Sequence, residues 1–189
     1  MLTHKGTVPL YTPRLVLRRL RLDDAQAIFD NWARDEQVAK YMSWSAHASV
    51  EVTKAVLSAW VSDYANENYY HWAIEKDSVI IGTIGVHHIE TAHERCEIGY
   101  CIGRKWWGMG VMTEAVAEII RFCFEELGFY KVGAFHDVKN IGSGKVMIKN
   151  NMNLESLLKE HNIRKDGTRA DVAYRAILRS DWERSSAQR

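Results

Sequence analysis

The stretch GRKWWGMGVMTEA, Gly103–Ala115, sets two adjacent tryptophans ahead of Gly-Met-Gly and then a helix-like run. Glycine at the start of a helix costs stability relative to alanine. Two of them make sense there if a ligand must come close to the backbone. The first amides of a helix have no partner inside it, and the helix dipole favours negative charge at that end. Gly108 and Gly110 therefore point to a phosphate or pyrophosphate site, or else to a plain strand–helix turn that needs positive φ. The segment is not a Walker loop, because the Gly-Lys-Ser/Thr ending is absent. Nor is it a Rossmann fingerprint: only two glycines have the spacing, and the strand ahead carries the polar Glu97.

Downstream of the loop, Met112, Val116, Ile119, Cys123 and Leu127 recur at helical spacing, with Thr113, Glu114, Glu118, Arg121 and Glu125 as the wet side. Gly128 then reads as a left-handed C-cap, with Phe129 as its apolar partner. Upstream, RCEIGYCIG (Arg95–Gly103) reads as a strand with Glu97, Gly99 and Cys101 on one face and Ile98, Tyr100 and Ile102 on the other. His71–Lys76 and Val79–Ile89 read as strands joined by a tight turn at Asp77-Ser78. Arg14–Leu20 reads as a first strand. Asp23 and Gln26 form a capping-box pattern for a helix over Asp24–Arg34. A second helix is expected over Val50–Tyr64, with Val52, Val56, Ala59 and Trp60 on one face. Lys131–Val138 and Ala170–Arg179 read as strands, and a short helix falls around Ser143–Asn150. Strands and helices mix in one α+β domain, a central mixed and largely antiparallel sheet flanked by helices.

The 189 residues suffice for one domain with a core, expected over residues 12–182 with tails at 1–11 and 183–189. A net charge of +1 gives no nucleic-acid footprint. No apolar run approaches the roughly 20 residues of a membrane helix, and the N-terminus lacks the apolar core of a signal peptide. The three cysteines, Cys96, Cys101 and Cys123, do not make a disulfide framework, so a reducing cytoplasm fits. Among His87, His88, His93 and Cys96 no paired ligand spacing occurs, and strand alternation would turn His87 and His88 to opposite faces; no metal is expected.

KWWGMG (Lys105–Gly110) resembles the Arg/Gln-x-x-Gly-x-Gly/Ala loop of the GCN5-related N-acetyltransferases. TPRLVLRRLRLDDAQAIF, IGTIGV, CEIGYCIGRKWWGMGVMTEA, CFEELGFYKVGA and NIGSGKV follow in that family's order. They are most similar to its ribosomal-protein N-terminal alanine acetyltransferase branch. The resemblance runs from about Thr12 to Trp182. It implies acetyl-CoA as donor and a primary amine as acceptor, a protein N-terminal α-amine in the branch's own case. Small amines, amino acids or antibiotics are alternative acceptors, and a non-catalytic acyl-CoA-binding module is the rival class. Homodimers are common in such proteins.

The resemblance also implies site residues. The loop amides, over Lys105, Trp107, Gly108, Met109, Gly110, Val111, Met112 and Thr113, would hold the cofactor's pyrophosphate, with Trp107 chiefly wedging the loop against the fold. Tyr100, Cys101 and Ile102 would offer backbone to the pantetheine arm and the thioester carbonyl. Asn140 would bond the pantetheine amide, and Lys145 would sit near the phosphates. Transfer by direct attack needs no enzyme nucleophile, so Cys101 reads as a filler. Glu97 is the candidate general base, against a structural reading as a salt-bridge partner of Arg95 or Arg104; His87 and His88 are alternatives. Met147 stands where the family often has a tyrosine acid, and a thioether has no proton to give. Ser143, four residues earlier, is the candidate donor to the leaving sulfur or else a cofactor anchor. Asn151 and Met152 replace a usual glycine and phenylalanine, and Asn tolerates a left-handed turn best among non-glycine residues.

Overall fold

Apolar side chains segregate to the two faces of one sheet. The computed structural model describes residues 2–186; Met1 and 187–189, assigned to the tails by sequence, lie outside the described residues. The strands are β1 (Leu10–Tyr11), β2 (Val16–Arg18), β3 (Tyr70–Lys76), β4 (Val79–Glu90), β5 (Arg95–Ile102), β6 (Lys131–Asp137), β7 (Asn153–Ile163) and β8 (Arg169–Leu178). They form an eight-stranded sheet in the order β1-β2-β3-β4-β5-β6-β8-β7. Only the β5–β6 pair is parallel, so the sheet is mixed and largely antiparallel, as expected.

On the sheet's first helical side lie α1 (Ala25–Ile28, continued by a wider turn over Phe29–Ala33), α2 (Glu36–Ala39) and α3 (Val50–Asp63). They pack Ile28, Trp32, Val38 and Leu57 onto Ala73 and Ile80. The opposite face carries α4 (Val111–Phe122, with a wider last turn over Cys123–Leu127). Its five periodic apolar residues are all buried, against Ile84, Val86, Ile98, Val132 and Ile177. Each such aliphatic side chain contributes about 1.5–3 kcal/mol by leaving water. Gly128 ends α4 at φ +87°, and Phe129, buried, donates its amide to the Cys123 carbonyl at 3.0 Å. Two helices complete the chain, α5 (Ile141–Lys149) and α6 (Arg179–Ser186).

Several expectations are corrected. β2 is shorter than Arg14–Leu20, because Thr12–Leu15 form the turn from β1, the Thr12 amide donating to the Leu15 carbonyl at 3.0 Å, and the Leu20 amide donates to the Tyr64 hydroxyl at 2.9 Å instead of to a strand. The capping box is built two residues earlier, from Arg21 to Asp24, with Asp24 Oδ2 accepting the Arg21 amide at 2.7 Å. The buried face of α3 is Thr53 and Leu57; Val52 is exposed. β7 and α6 were not foreseen. Ahead of β1, the segment assigned to a tail is tied to the domain: the Thr3 amide donates to Leu127 O at 2.9 Å, and Thr7 Oγ1 donates to Tyr69 O at 2.8 Å.

The hairpin at Asp77-Ser78 forms as expected, both residues left-handed at φ +50° and +61°. Asn151 takes the left-handed turn expected of it, φ +57°, and Met152 is buried in the core.

Candidate active site

β5 and β6 begin as a pair and then part. Arg95, Cys96 and Glu97 stand opposite Lys131, Val132 and Gly133, where the ladder stops. Beyond it β5 stays with β4 as far as Ile102, and β6 stays with β8 as far as Asp137. The β6-facing edge of Tyr100–Ile102 is thus left without a strand, at the mouth of a cleft of about 490 Å³. Strand-like backbone groups with no ladder partner need hydrogen bonds from elsewhere.

The cleft is lined by Tyr100, Cys101 and Ile102, by Trp107, Gly108, Gly110, Met112 and Thr113, and by Asn140, Ser143 and Lys145. Eleven residues expected at the cofactor thus converge on one cavity. Lys105, Met109 and Val111 do not line it. Lys105 Nζ sits over the Trp106 ring, 5.4 Å from its centroid, the Met109 carbonyl accepts from Arg14, and the Val111 side chain is in the core. Val111, buried in the core, is left with only its backbone to contribute.

Gly108 and Gly110 are both left-handed, φ +76° and +74°. A Cβ on Gly108 would meet nothing within 4 Å, and one on Gly110 would meet only Arg14 Nη2 at 3.7 Å. The glycines therefore serve backbone conformation and leave an open cradle, not a packing contact. Gly110 is the N-cap of α4 and offers no side-chain cap, so the helix's leading amides remain available. Three cations edge the same cleft, Lys139, Lys145 and Lys149, the last two one turn apart on α5. The pyrophosphate and phosphate groups of CoA match this donor set: open amides, a helix N-terminus and lysines.

The two tryptophans divide their work otherwise than expected. Trp106 is the wedge, packed on the core with its ring over Gly103, where a Cβ would stand 2.7 Å from it. Trp107 is half exposed on the cleft and donates Nε1–H to the Ile102 carbonyl at 2.9 Å.

Asn140 caps α5, its Oδ1 accepting the Ser143 amide at 3.2 Å, so its NH₂ is the group left for a ligand. Tyr100 crosses the cleft from β5. Its hydroxyl lies 3.1 Å from Ser143 Oγ and also donates to the Ser143 carbonyl at 3.2 Å. Burial raises the phenol's pKa to about 12, the Ser143 bond opposing only slightly, so it keeps its proton at neutral pH. Met147 is fully buried and does not line the cleft. Burial likewise raises the pKa of the Cys101 thiol, which suits a filler and not a nucleophile.

Glu97 does not line this cleft. Its Oε2 is 2.6 Å from His88 Nδ1, while Arg95 pairs with Glu90 and Arg104 with Asp35. The expected alternation of His87 and His88 fails at a β-bulge: His88 is left-handed, φ +45°, and swings onto Glu97. Sequence reasoning missed Val38, Tyr41 and Met42, which line the cleft from α2 and the residues after it, as well as Lys139 and Lys149. Only the lysines had a signal, their spacing of four from Lys145 to Lys149. Among the described residues no group of three His, Cys, Asp or Glu could hold a metal.

The family model of the acetyltransferase (GNAT) domain matches residues 14–153. An uncharacterised N-acetyltransferase, YoaA of Bacillus subtilis, is 30% identical over 90% of this chain and 96% of its own. The alanine N-acetyltransferase of ribosomal protein uS5 from Escherichia coli is 25% identical over 96% and 98%. Among solved structures, the microcin C7 self-immunity acetyltransferase MccE, in complex with acetyl-CoA and AMP, superposes with a TM-score of 0.80. It is 20% identical, with 88% of this chain and 93% of that one covered, so it speaks for the fold. The chain belongs to the GCN5-related N-acetyltransferase (GNAT) family and is an N-acetyltransferase.

Proposed function

We propose that the cleft binds acetyl-CoA and that the acetyl group passes to a primary amine by direct attack in a ternary complex. The observation that carries this reading is the left-handed glycine loop at an uncapped helix start, opening where β5 and β6 part. Bound there, acetyl-CoA supplies an acetyl thioester. Amides over the loop to Thr113 would hold the pyrophosphate, and Lys139, Lys145 and Lys149 would answer phosphate charge. The free edge at Tyr100–Ile102 would present N–H groups to the pantetheine arm and to the thioester oxygen. Donors fixed in place before the reaction cost no reorganisation when charge develops. The Asn140 NH₂ would bond a pantetheine carbonyl.

Ser143 is the proton donor to the departing sulfur. It faces the cleft, and Tyr100 stands behind it with a proton of its own. On the acceptor side Glu97, acting through a water, or His87 would take the amine's proton. The acceptor itself is a protein N-terminal α-amine, supported by the full-length similarity to the uS5-alanine enzyme. A cytoplasmic setting is supported by three free cysteines.

The test is thiol release from acetyl-CoA in the presence of a panel of amines: peptides with free N-termini, lysine side chains, polyamines and aminoglycosides. Peptide α-amines should give the highest kcat/KM. A higher value for a small amine would move the acceptor, and no release with any amine would contradict transfer at this cleft.

A further inference from the structure

The helical face that carries α1–α3 holds a histidine that the cofactor cleft does not use. His87 stands directly across from Glu97 in the β4–β5 ladder, so the two would be expected to pair. They do not, because the bulge at His88 brings that residue's Nδ1 onto Glu97 instead. A non-glycine residue held left-handed costs about 1–2 kcal/mol, and such strain and bulges gather at working sites. The bulge leaves the His87 ring without a hydrogen bond or ion pair to any described residue; its neighbour is His71, ring centroids 6.4 Å apart and edge-on.

The ring lies across two facing glycines. Gly85 and Gly99 are direct partners on β4 and β5. A Cβ on Gly85 would stand 2.9 Å from His87 Nε2, and one on Gly99 would stand 3.2 Å from Cδ2. A side chain at Gly85 would displace the imidazole, and one at Gly99 would shift it by a few tenths of an ångström or more. Gly99 immediately precedes Tyr100–Ile102, the backbone that edges the cleft. The imidazole does not line the cleft itself but lies over Gly99, one residue before that edge, on the sheet face that carries α1–α3. His71 and Trp60, ring centroids 4.5 Å apart, stand beyond His71's edge contact with it.

We propose that His87 is the catalytic base for the acceptor, its imidazole taking a proton from the incoming ammonium group above the Gly85–Gly99 floor. This rests on the acetyl-transfer reading above. The protonated amine gives one proton to His87, and its freed lone pair forms the C–N bond as the C–S bond breaks. The second nitrogen proton offsets the one that Ser143 gives to sulfur, and His87 returns its proton to water. One amide, one thiol and one solvent proton result. The groups facing His87 are His71 on β3, His88 on its own strand and Glu97 on β5. His87 is exposed at its outer edge, yet packing of the ring against the sheet lowers its pKa below the usual value, His88 adds to this and Glu97 opposes it, which favours the neutral ring near pH 7.

The experiment compares His87→Ala, Gly99→Ala and Glu97→Gln with the wild type, using acetyl-CoA and the best amine of the panel. His87→Ala should lower kcat/KM by about 10²–10³-fold, near the lower part of the range for general bases. The CoA-induced rise in Tm should be unchanged, the acidic limb of the pH–rate profile should vanish, and free imidazole should restore part of the rate. Gly99→Ala should keep the histidine but lower the rate by displacing it. By NMR without any donor, His87 should titrate below an ordinary imidazole and shift in Gly99→Ala. His87→Ala within twofold of wild type overturns the proposal, and a loss confined to Glu97→Gln then assigns the base to Glu97. A loss that imidazole does not restore, with the acidic limb intact, also overturns it and leaves His87 structural. No thiol release by the wild type with any amine would instead sink the acetyl-transfer reading itself.

Discussion

Tyr100 on β5 and Ser143 on α5 meet hydroxyl to hydroxyl at 3.1 Å, spanning the gap where the sheet loses its β5–β6 pairing. The phenol has a single proton and can give it to Ser143 Oγ or to the Ser143 carbonyl. When it gives to Oγ, the serine's own proton is released toward the cleft. Tyr100 is therefore a positioning residue for Ser143. Tyr100→Phe should lower kcat about tenfold with KM for acetyl-CoA little changed. Adding Tyr100→Phe to Ser143→Ala should cost almost nothing more, because Tyr100 acts only through the serine. Steady-state kinetics of the four-member cycle checks this; fully additive losses would separate the pair.

Ser143→Ala alone should reduce kcat by about 10–100-fold, at or below the low end for acid catalysis, and leave CoA affinity within a few-fold. Met147→Tyr should not repair it. Met147 is in the core, so a phenol there overpacks the site at a cost of about 1–3 kcal/mol. A lower Tm with no gain in rate is the expected result. Restored turnover in the double variant would show that the phenol had reached the cleft after all.

The entry to α5 depends on Asp137. Its carboxylate takes Arg164 Nε at 2.6 Å and Nη2 at 3.0 Å, and the Lys139 amide at 2.8 Å. Burial works against the charge, but the Arg164 bonds and the amide outweigh it and hold the carboxyl below its usual range. A folded-state pKa below the unfolded one stabilises at neutral pH, and the contribution is lost as pH falls through the folded value, below about 4. Asp137→Asn should lower Tm at pH 7, and the gap to wild type should close as the pH drops below about 4. Thermal melts across pH check this; a constant gap would remove the ion pair from the account.

Lys139, Lys145 and Lys149 should act together on phosphate charge. Replacing all three with alanine should weaken CoA binding by about tenfold or more while flattening its salt dependence, since exposed charges are individually weak and screened. Calorimetric titration at two salt concentrations measures both. Unchanged affinity would place the phosphates elsewhere.

The sequence made the glycine loop, the α4 periodicity with Gly128, and the Asp77-Ser78 turn readable, because each rests on local backbone chemistry. β7 was not readable. It is the sheet's edge strand, exposed along most of its length, and residues such as Glu155, Lys159 and Glu160 break any apolar alternation. The α3 face was misread because Thr53 is buried while Val52 is not. At the site, the eleven expected residues that line the cleft were reached through the glycine loop and, for the strand ahead of it and the Asn140 segment, through the family resemblance. The Tyr100–Ser143 contact joins residues 43 apart, and the His88 swing onto Glu97 depends on a bulge that alternation cannot foresee. Val38, Tyr41 and Met42 reach the cleft through packing of α2, which no local pattern encodes.

The measurement that tests the cleft assignment most directly is the melting temperature with CoA or with pantetheine, for wild type and Gly110→Val. Ligands that bind only the folded protein raise Tm by mass action. A Cβ at Gly110 meets only the flexible end of Arg14, but a β-branched residue cannot comfortably hold φ +74°, so the loop should lose its shape through backbone strain. CoA should raise the wild-type Tm strongly, pantetheine much less, and Gly110→Val should stay folded yet lose the CoA response. Equal stabilisation by CoA and pantetheine, or a full CoA response in Gly110→Val, would contradict a pyrophosphate cradle at the start of α4.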